Sequence, residues 1–337
     1  MRSDPTRSSA GAVLVTGGAG YIGSHVVAQL VDAGEDVVTL DDLSSGFRDA
    51  VIGGTFVHGD IGDRALVTAL LQRHRIGSVL HFAARTVVSE SMRDPIGYYA
   101  NNTAATCQLL AACTQAGIGQ FVFSSSAAVY GVPDGGRASE SAPTVPINPY
   151  GSSKLMSEWM LRDLAAVSPL RYVALRYFNV AGCDAQGRIG QSTQTPTLLM
   201  KVAAEAACGV RPHVAIFGTD FPTPDGTGVR DYVHVEDLAA AHVAALKYLR
   251  DGGAPVTLNV GYGRGYSVRE VLAAVERAHG RPVPCREQPR RPGDPPELVA
   301  DCTRIREVLD WAPQRHDLDL MARSTLEWER RLAARRG

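Results

Sequence analysis

The chain has no strong excess of charge, no close pair of cysteines and no long apolar run. A formal net charge of −1 over 337 residues gives no global attraction to nucleic acid or to an anionic membrane. The six cysteines are scattered, without CxxC or zinc-site spacing, so we expect reduced thiols and no metal. No apolar stretch is long enough to predict a membrane span.

The first ten residues are polar and lack the apolar segment of a signal peptide. We therefore predict a disordered extension over residues 1–11 and a cytoplasmic location. The hydrophobic share of 45% and the charged share of 20% are typical of a globular enzyme.

Apolar runs that predict strands alternate with helical periodicity as far as residue 180. The predicted strands lie at 12–16, 36–40, 55–57, 78–82, 121–125 and 172–175, and the predicted helices at 21–33, 63–74, 95–116 and 149–166. This alternation predicts an α/β fold with a Rossmann-like doubly wound parallel sheet and right-handed crossovers. Residues 12–180 are thus predicted to form a nucleotide-binding domain.

The pattern changes after residue 180, where long loops rich in Gly, Pro, Asp and Thr appear. Helices are predicted at 198–208, 235–250, 268–279 and 303–309. We interpret residues 181–337 as a smaller mixed α/β region that supplies the substrate half of a cleft. Segments such as 258–260 are expected to return to the main sheet.

A glycine-rich turn follows the first predicted strand. Gly17, Gly20 and Gly23 would let the backbone, including Tyr21 and Ile22, approach a pyrophosphate at the N-terminus of the next helix. Glycines at this spacing are weak evidence alone, but the strand–turn–helix context predicts a dinucleotide site.

An acidic residue ends the second strand, about 20 residues further on. Asp41 would hold the ribose hydroxyls of the cofactor and repel a 2′-phosphate, so NAD is favoured over NADP. Asp42 could be the ribose ligand instead, or a turn residue. Asp60 with Ile61 would contact adenine, unless Asp60 only caps a turn.

Tyr150 and Lys154 lie one turn apart on a predicted helix. A phenol has an ordinary pKa near ~10 and is a poor base at neutral pH, and we expect the lysine to lower that pKa. Residues 124–126 are three serines at a strand end. One of them is expected to bond a substrate hydroxyl or ketone, and the others the backbone. The pattern predicts hydride transfer between an alcohol and a nicotinamide, with Tyr150 as the base.

The motifs TGGAGYIGSH, HFAA, YYANN, SSSAAVYG, YGSSK and RYFN follow one another as in the extended short-chain dehydrogenase/reductase family, which this chain resembles over about residues 12–330. GTGVRDYVHVEDLA is similar to the UDP-sugar 4-epimerases of that family. The resemblance implies transient oxidation at C4 of a UDP-sugar by NAD, rotation of the 4-keto sugar and return of the hydride. Among UDP-sugars, it implies UDP-glucose and UDP-galactose as the most expected substrates. It also implies a homodimer in which helices 95–116 and 149–166 pack against a second copy.

The resemblance also implies roles for individual residues. Ser126 would be catalytic beside Tyr150 and Lys154. The implied cofactor contacts are Phe82, Ala83, Ala84, Asn101, Ser124, Tyr150, Lys154 and Tyr177. The implied substrate contacts are Ser126, Tyr150, Phe178, Asn179, Leu199, Ala215, Phe217, Arg230, Val268, Arg291, Asp294 and Leu298.

Some of these roles have structural alternatives. Guanidinium forks suit a diphosphate, but Arg230 could pair with Asp231 or Asp237. Residues 290–291 could be a solvated charge run. Phe178 and Phe217 could be core aromatics.

The reaction and the sugar depend on a few departures from the family pattern. Dehydratases and decarboxylases usually carry an acid where this chain has residues Ala127 and Ala128, so its absence favours epimerisation. Thr86 and Leu198 replace polar contacts that epimerases usually have. Leu298 is intermediate in size at the position facing the sugar, so UDP-GlcNAc, a UDP-pentose and a UDP-hexuronate remain alternatives. An oxidoreductase that exchanges NAD(H) is a further alternative.

Overall fold

The computed structural model describes residues 11–291 and 293–336. The disorder predicted for residues 1–10 therefore lies outside the described residues. In the part that is described, no helix has the length and apolar character needed to cross a membrane.

Strands and helices alternate through most of the chain. In chain order the strands are β1 (Ala12–Thr16), β2 (Val37–Asp41), β3 (Thr55–His58), β4 (Ile76–His81), β5 (Gln120–Ser124), β6 (Arg137–Ala138), β7 (Arg171–Tyr177), β8 (Asn179–Ala181), β9 (Val214–Phe217), β10 (Val229–His234), β11 (Val256–Val260), β12 (Gly265–Ser267), β13 (Cys285–Gln288) and β14 (Glu297–Ala300). The helices are α1 (Tyr21–Asp32), α2 (Arg64–Arg73), α3 (Val88–Ser91), α4 (Pro95–Tyr98), α5 (Ala105–Ala116), α6 (Pro149–Val167), α7 (Leu199–Ala207), α8 (Val235–Arg250), α9 (Val268–His279), α10 (Thr303–Leu309) and α11 (Leu318–Arg336).

Seven parallel strands form the main sheet in the order β11-β7-β5-β4-β1-β2-β3. The predicted fold class is confirmed, and the pairing of β11 with β7 confirms that 258–260 returns to this sheet. The strand order reverses between β1 and β4, where sheets of this kind bind their ligands. Thr16 lies beside Leu40 and His81 in register, so the loops after β1, β2 and β4 leave the sheet at one edge.

Helices cover both faces of the main sheet. The side chains of β1 alternate between two cores, with Val13 and Val15 facing α1 and α8 and with Leu14 facing α2, α5 and α6. Strands buried on both faces read as continuous apolar runs, which is why the sequence predicted them well.

The smaller region is built on short strands. β12, β10, β14 and β6 form one sheet, β8 pairs with the far end of β10, and β13 pairs with β9. Helices α7, α9 and α11 enclose a third core beside β9. β8 follows β7 of the main sheet directly in the chain and pairs with β10, so the smaller region lies beside the main sheet.

One predicted helix differs from the structure, and one long helix was not predicted. The helix predicted at 95–116 is divided into α4, a π-helical turn over Tyr99–Ala104, and α5. The π turn is accompanied by hydrogen bonds from Arg85 N to the side-chain oxygens of Asn101 and Asn102, at 3.1 and 2.8 Å. The sequence also did not predict α11.

Candidate active site

The glycine turn after β1 forms an open anion cradle. Gly17 has φ +69°, and a Cβ there would lie 2.5 Å from Ala83 N, so only glycine fits. A Cβ on Gly23 would lie 2.3 Å from Gly17 O. A Cβ added at Gly20 would have its nearest neighbour, Gly17 O, 3.3 Å away, and no side chain caps the N-terminus of α1. The uncapped N–H groups and the open surface fit a pyrophosphate of NAD.

Asp41 ties the end of β2 to this turn. Its carboxylate accepts hydrogen bonds from Ala19 N at 2.9 Å and Leu43 N at 2.8 Å, and burial raises its pKa above the ordinary value. A carboxylate has about four acceptor sites, so capacity for ribose hydroxyls remains. Asp42 instead accepts from Ser44 N and Ser44 Oγ, which makes it a turn residue.

The adenine side is less distinctive. Asp60 accepts from Gly62 N at 2.7 Å, so its carboxylate stabilises a turn, and Ile61 is buried in the second core. Their contact with adenine stays a prediction. Residues 82–84 follow β4 at the same edge as the glycine turn, and Asn101 holds the next backbone N–H, that of Arg85.

The reacting residues predicted from the sequence lie together. Asn148 caps α6 by accepting from Gly151 N at 2.8 Å, which fixes Tyr150 in the first turn. Lys154 Nζ donates to Ser124 O at 2.9 Å. Ala128 N donates to Ser126 Oγ at 3.1 Å, and Ser126 is also hydrogen-bonded to Tyr150. The strand end of β5 and helix α6 therefore present a serine, a phenol and an amine to one place.

One prediction about this cluster is wrong. Burial raises the pKa of Tyr150 above its ordinary value, and the hydrogen bond from Ser126 only partly opposes this. The lysine was expected to lower this pKa. Instead burial lowers the pKa of Lys154 itself to about 7, so its own charge is sensitive to its neighbours. Tyr177 also hydrogen-bonds Tyr150 and Ser124.

Ser125 does not bond the backbone through its hydroxyl, as was expected of the serines that do not contact the substrate. Its Oγ donates to Glu158 Oε1 at 2.5 Å. Arg176 grips the same carboxylate, with Nη2 2.6 Å from Oε2, and its Nη1 donates to Tyr130 Oη at 3.0 Å. The sequence did not identify this buried network, although Lys154 and Glu158 have i,i+4 spacing.

The predicted diphosphate residues cluster on the smaller region. Arg291 Nε donates to Asp294 Oδ2 at 2.8 Å, and its guanidinium lies 4.6 Å from the centre of the Phe217 ring. Arg230 is partly buried, which lowers the pKa of its guanidinium while the charge of Asp294 opposes that effect. Leu298 lies beside Arg230 in the β10–β14 pairing.

The structural alternatives given above for Arg230 and for Phe178 have different outcomes. Arg230 does not pair with Asp231, whose carboxylate accepts instead from Tyr262 N, Gly263 N and Ala300 N at 2.8 to 3.2 Å. Phe178 is 5% exposed and packs in the main core, which favours the core-aromatic alternative, and its contact with the substrate stays a prediction.

Four other predicted substrate residues lie on elements of the smaller region, three of them at the start of an element. Asn179 begins β8 beside Tyr232 of β10. Leu199 begins α7, Val268 begins α9, and Ala215 lies on β9. Their contact with a ligand stays a prediction.

A hexuronate would need extra cations for its carboxylate, and two arginines without another predicted role, Arg85 and Arg188, are already paired. Arg85 lies 2.8 Å from Asp94. Arg188 lies 2.8 Å from Asp184 and 3.0 Å from Asp32.

Residues 182–193, which we call the covering loop, lie between α1 and α11. Tyr21 Oη donates to Gly182 O at 2.6 Å. The loop bonds α11 through Gly182 N to Thr325 Oγ1 at 2.9 Å, Trp328 Nε1 to Gln191 O at 3.1 Å and Arg331 Nη1 to Gly187 O at 2.7 Å. A narrow cavity separates Ser192 and Thr193 from Ala19 and Gly20. The covering loop therefore lies against the glycine turn.

The strand order and the open glycine turn define a dinucleotide-binding α/β protein, with a Ser–Tyr–Lys cluster at the edge where its ligands bind. Residues 13–261 match the model of the NAD dependent epimerase/dehydratase family. The chain is 57% identical over 321 residues to a UDP-glucose 4-epimerase of Azospirillum brasilense, and the match covers 95% of this chain and 92% of that relative. The chain belongs to the NAD dependent epimerase/dehydratase family.

Solved structures agree with this assignment. A UDP-glucose 4-epimerase from Brucella ovis in complex with NAD is similar with a TM-score of 0.92 at 44% identity, over 94% of this chain and 98% of that one. A UDP-glucose 4-epimerase from Stenotrophomonas maltophila with bound NAD and formylated UDP-arabinopyranose has a TM-score of 0.93 at 44% identity, over 96% of this chain and 99% of that one.

Proposed function

We propose that the chain is an NAD-dependent isomerase that interconverts the C4 epimers of a UDP-sugar, with UDP-glucose and UDP-galactose as the first pair to test. The observation that carries this proposal is that Ser126, Tyr150 and Lys154 lie together at the same edge of the main sheet as the glycine turn. The names of the similar proteins support the substrate class.

The residues of the site would divide the work as follows. Ser126 holds the C4 hydroxyl, and Tyr150, once ionised, takes its proton and later returns it; the positive charges of Lys154 and of the bound nicotinamide would offset the effect of burial on the phenol. Lys154, held by Ser124 O, provides positive charge beside the phenol. NAD, held by the glycine turn and Asp41, would supply the acceptor for the C4 hydride and give that hydride back.

The UDP moiety would bind to the smaller region. The guanidinium groups of Arg230 and Arg291 suit diphosphate oxygens, and the Asp294 carboxylate would accept from a ribose hydroxyl. Rotation of a 4-keto sugar needs a pocket that grips the nucleotide more firmly than the sugar. The absence of a carboxylate at Ala127 and Ala128 favours epimerisation, because nothing there would move protons at C5 or C6.

The test is incubation of the purified protein with UDP-galactose and no added cofactor. We expect UDP-glucose as product, with no steady change in absorbance at 340 nm, the wavelength of reduced nicotinamide. Steady production or consumption of NADH would support an oxidoreductase instead. UDP-GlcNAc, a UDP-pentose and a UDP-hexuronate in the same assay identify the preferred sugar, and no product from any of them would refute the proposal.

We also propose a homodimer that packs α4, α5 and α6 against a second copy. Ile96 is 75% exposed, Met92 52% and Trp159 45%, and all three lie on or beside these helices. Exposed apolar side chains grouped in this way are typical of an interface. Light scattering after size exclusion should give twice the chain mass, and Trp159→Glu should reduce it. A cytoplasmic location stays a prediction from the sequence.

A further inference from the structure

A chain of buried polar groups lies directly behind the reacting cluster. Glu158 is 6% exposed and Arg176 7%, and their fork-like pair is supplemented by Ser125 on one side and Tyr130 on the other. Tyr130 Oη donates in turn to Asn259 Oδ1 at 2.7 Å. Burying a carboxylate is costly unless it is fully paired, so this pair is held in one geometry by its surroundings.

Each partner adjoins a residue of the proposed site. Ser125 lies between Ser124, whose carbonyl accepts from Lys154, and Ser126, which bonds Tyr150. Glu158 lies one helical turn beyond Lys154 on α6. Arg176 takes both oxygens of Glu158, so the Lys154 amine is left to donate to Ser124 O.

The charges around Lys154 come from several elements. His81 on β4 and His242 on α8 are both buried, and burial lowers their pKa values to about 3 and about 4, so neither carries a charge at neutral pH. Burial raises the pKa values of Tyr150 and Tyr177, so neither phenol carries a charge at neutral pH in the free protein. Glu158 is the carboxylate that raises the pKa of Lys154 against the effect of burial.

We propose that Glu158, clamped by Arg176 and Ser125, is a positioning residue that keeps Lys154 charged and directed at the strand end of residues 124–126. This inference rests on the proposed function, because it assigns Glu158 to the same site. Without the negative charge of Glu158, Lys154 would lose its proton at a lower pH and the amine would no longer support the phenol.

The experiment compares Glu158→Gln with wild-type protein carrying its retained NAD. The rate of UDP-galactose conversion is measured between pH 6 and pH 8.5. We expect the variant to be slower by about tenfold at pH 8 and by about twofold at pH 6, since an opposite charge nearby shifts a pKa by about 1 unit or more. Glu158→Asp, which keeps the charge, should recover most of the alkaline activity.

Glu205→Gln is the matched control. Glu205 is 5% exposed and Arg211 bonds it through Nε and Nη2, at 3.1 and 3.0 Å, but Glu205 lies on α7, a helix of the third core, and Arg211 lies just beyond the end of that helix. We expect its pH profile to equal that of wild type. Profiles of Glu158→Gln and Glu205→Gln that are both unchanged would overturn the proposal.

The titration of Lys154 can be read without turnover, by carbon-13 NMR of lysine side chains with Lys154→Met to identify the signal. A lower midpoint in Glu158→Gln supports the positioning role even if no UDP-sugar is converted, so the two proposals fail separately. If Glu158→Gln does not fold, the same midpoint is read in the double variant Glu158→Met/Arg176→Met, which leaves no unpaired charge in the core, and an unchanged value there counts against the role.

Discussion

Glycine-to-alanine substitutions in the glycine turn should separate an effect on folding stability from an effect on cofactor binding, with Gly34 outside the turn as the reference. Gly34, at the end of α1, has φ +81°, and an added Cβ would have no atom within 4 Å, so Gly34→Ala carries only the left-handed backbone cost of about 1 kcal/mol. Gly17→Ala has the same cost and places Cβ 2.5 to 2.8 Å from backbone atoms of Ala83 and Phe82. Overlap with backbone adds about 1–3 kcal/mol, for a total of about 2–4 kcal/mol.

Gly20→Ala should behave in the opposite way. Its φ is −77° and its nearest neighbour would be Gly17 O at 3.3 Å, so we expect stability to change by less than about 0.5 kcal/mol. The added methyl group would occupy the surface that a pyrophosphate approaches, so the NAD content of the purified variant should fall.

The assay is urea unfolding of protein freed of NAD, because a bound ligand adds its own stabilisation. NAD content is measured separately on protein as purified. The reasoning about close approach is refuted if Gly17→Ala is as stable as Gly34→Ala. The assignment of the cradle is refuted if Gly20→Ala retains a full complement of NAD.

Three further predictions concern the reacting cluster, the diphosphate residues and a buried carboxyl. Tyr150→Phe should lower UDP-galactose turnover by at least ~10²-fold, and an unchanged rate would exclude the phenol as the base. Arg291→Ala should raise the KM for UDP-galactose by about tenfold with little change in kcat, whereas Arg290→Ala, which removes a guanidinium bonded to Asp220, should leave the KM unchanged. Burial raises the pKa of the Asp231 carboxyl to about 6, so its contribution to stability should grow as the pH falls from about 6 and be lost above it; urea unfolding of wild type and Asp231→Asn at pH 7 and pH 4.5 checks this slope.

The main sheet could be predicted because its strands are buried on both faces and are separated by clear helical periods. The smaller region could not, because strands of two to four residues such as β6, β8 and β12 are too short to show a period. Helix α11 was missed because it is polar overall, and its apolar residues become a face only in the fold, where Met321 packs with α7 and α9 and Trp328 lies against the covering loop.

The candidate site was predictable where chemistry is carried by residues close in sequence. Tyr150 and Lys154 share one helix, and the serines share one strand end. The partnership of Glu158 with Arg176 joins α6 to β7, and nothing in the spacing of the two residues separates a buried clamp from a solvated surface pair. The direction of the Tyr150 pKa also depends on burial, which spacing does not report.

The position of the covering loop has a consequence for the order in which the protein is made. The glycine turn and Asp41 leave the ribosome early, within the first part of the chain. The loop that lies against them is fastened by Thr325, Trp328 and Arg331, which are synthesised much later than the glycine turn. The cover over the nucleotide cradle can therefore form only after α11 has been synthesised and has docked.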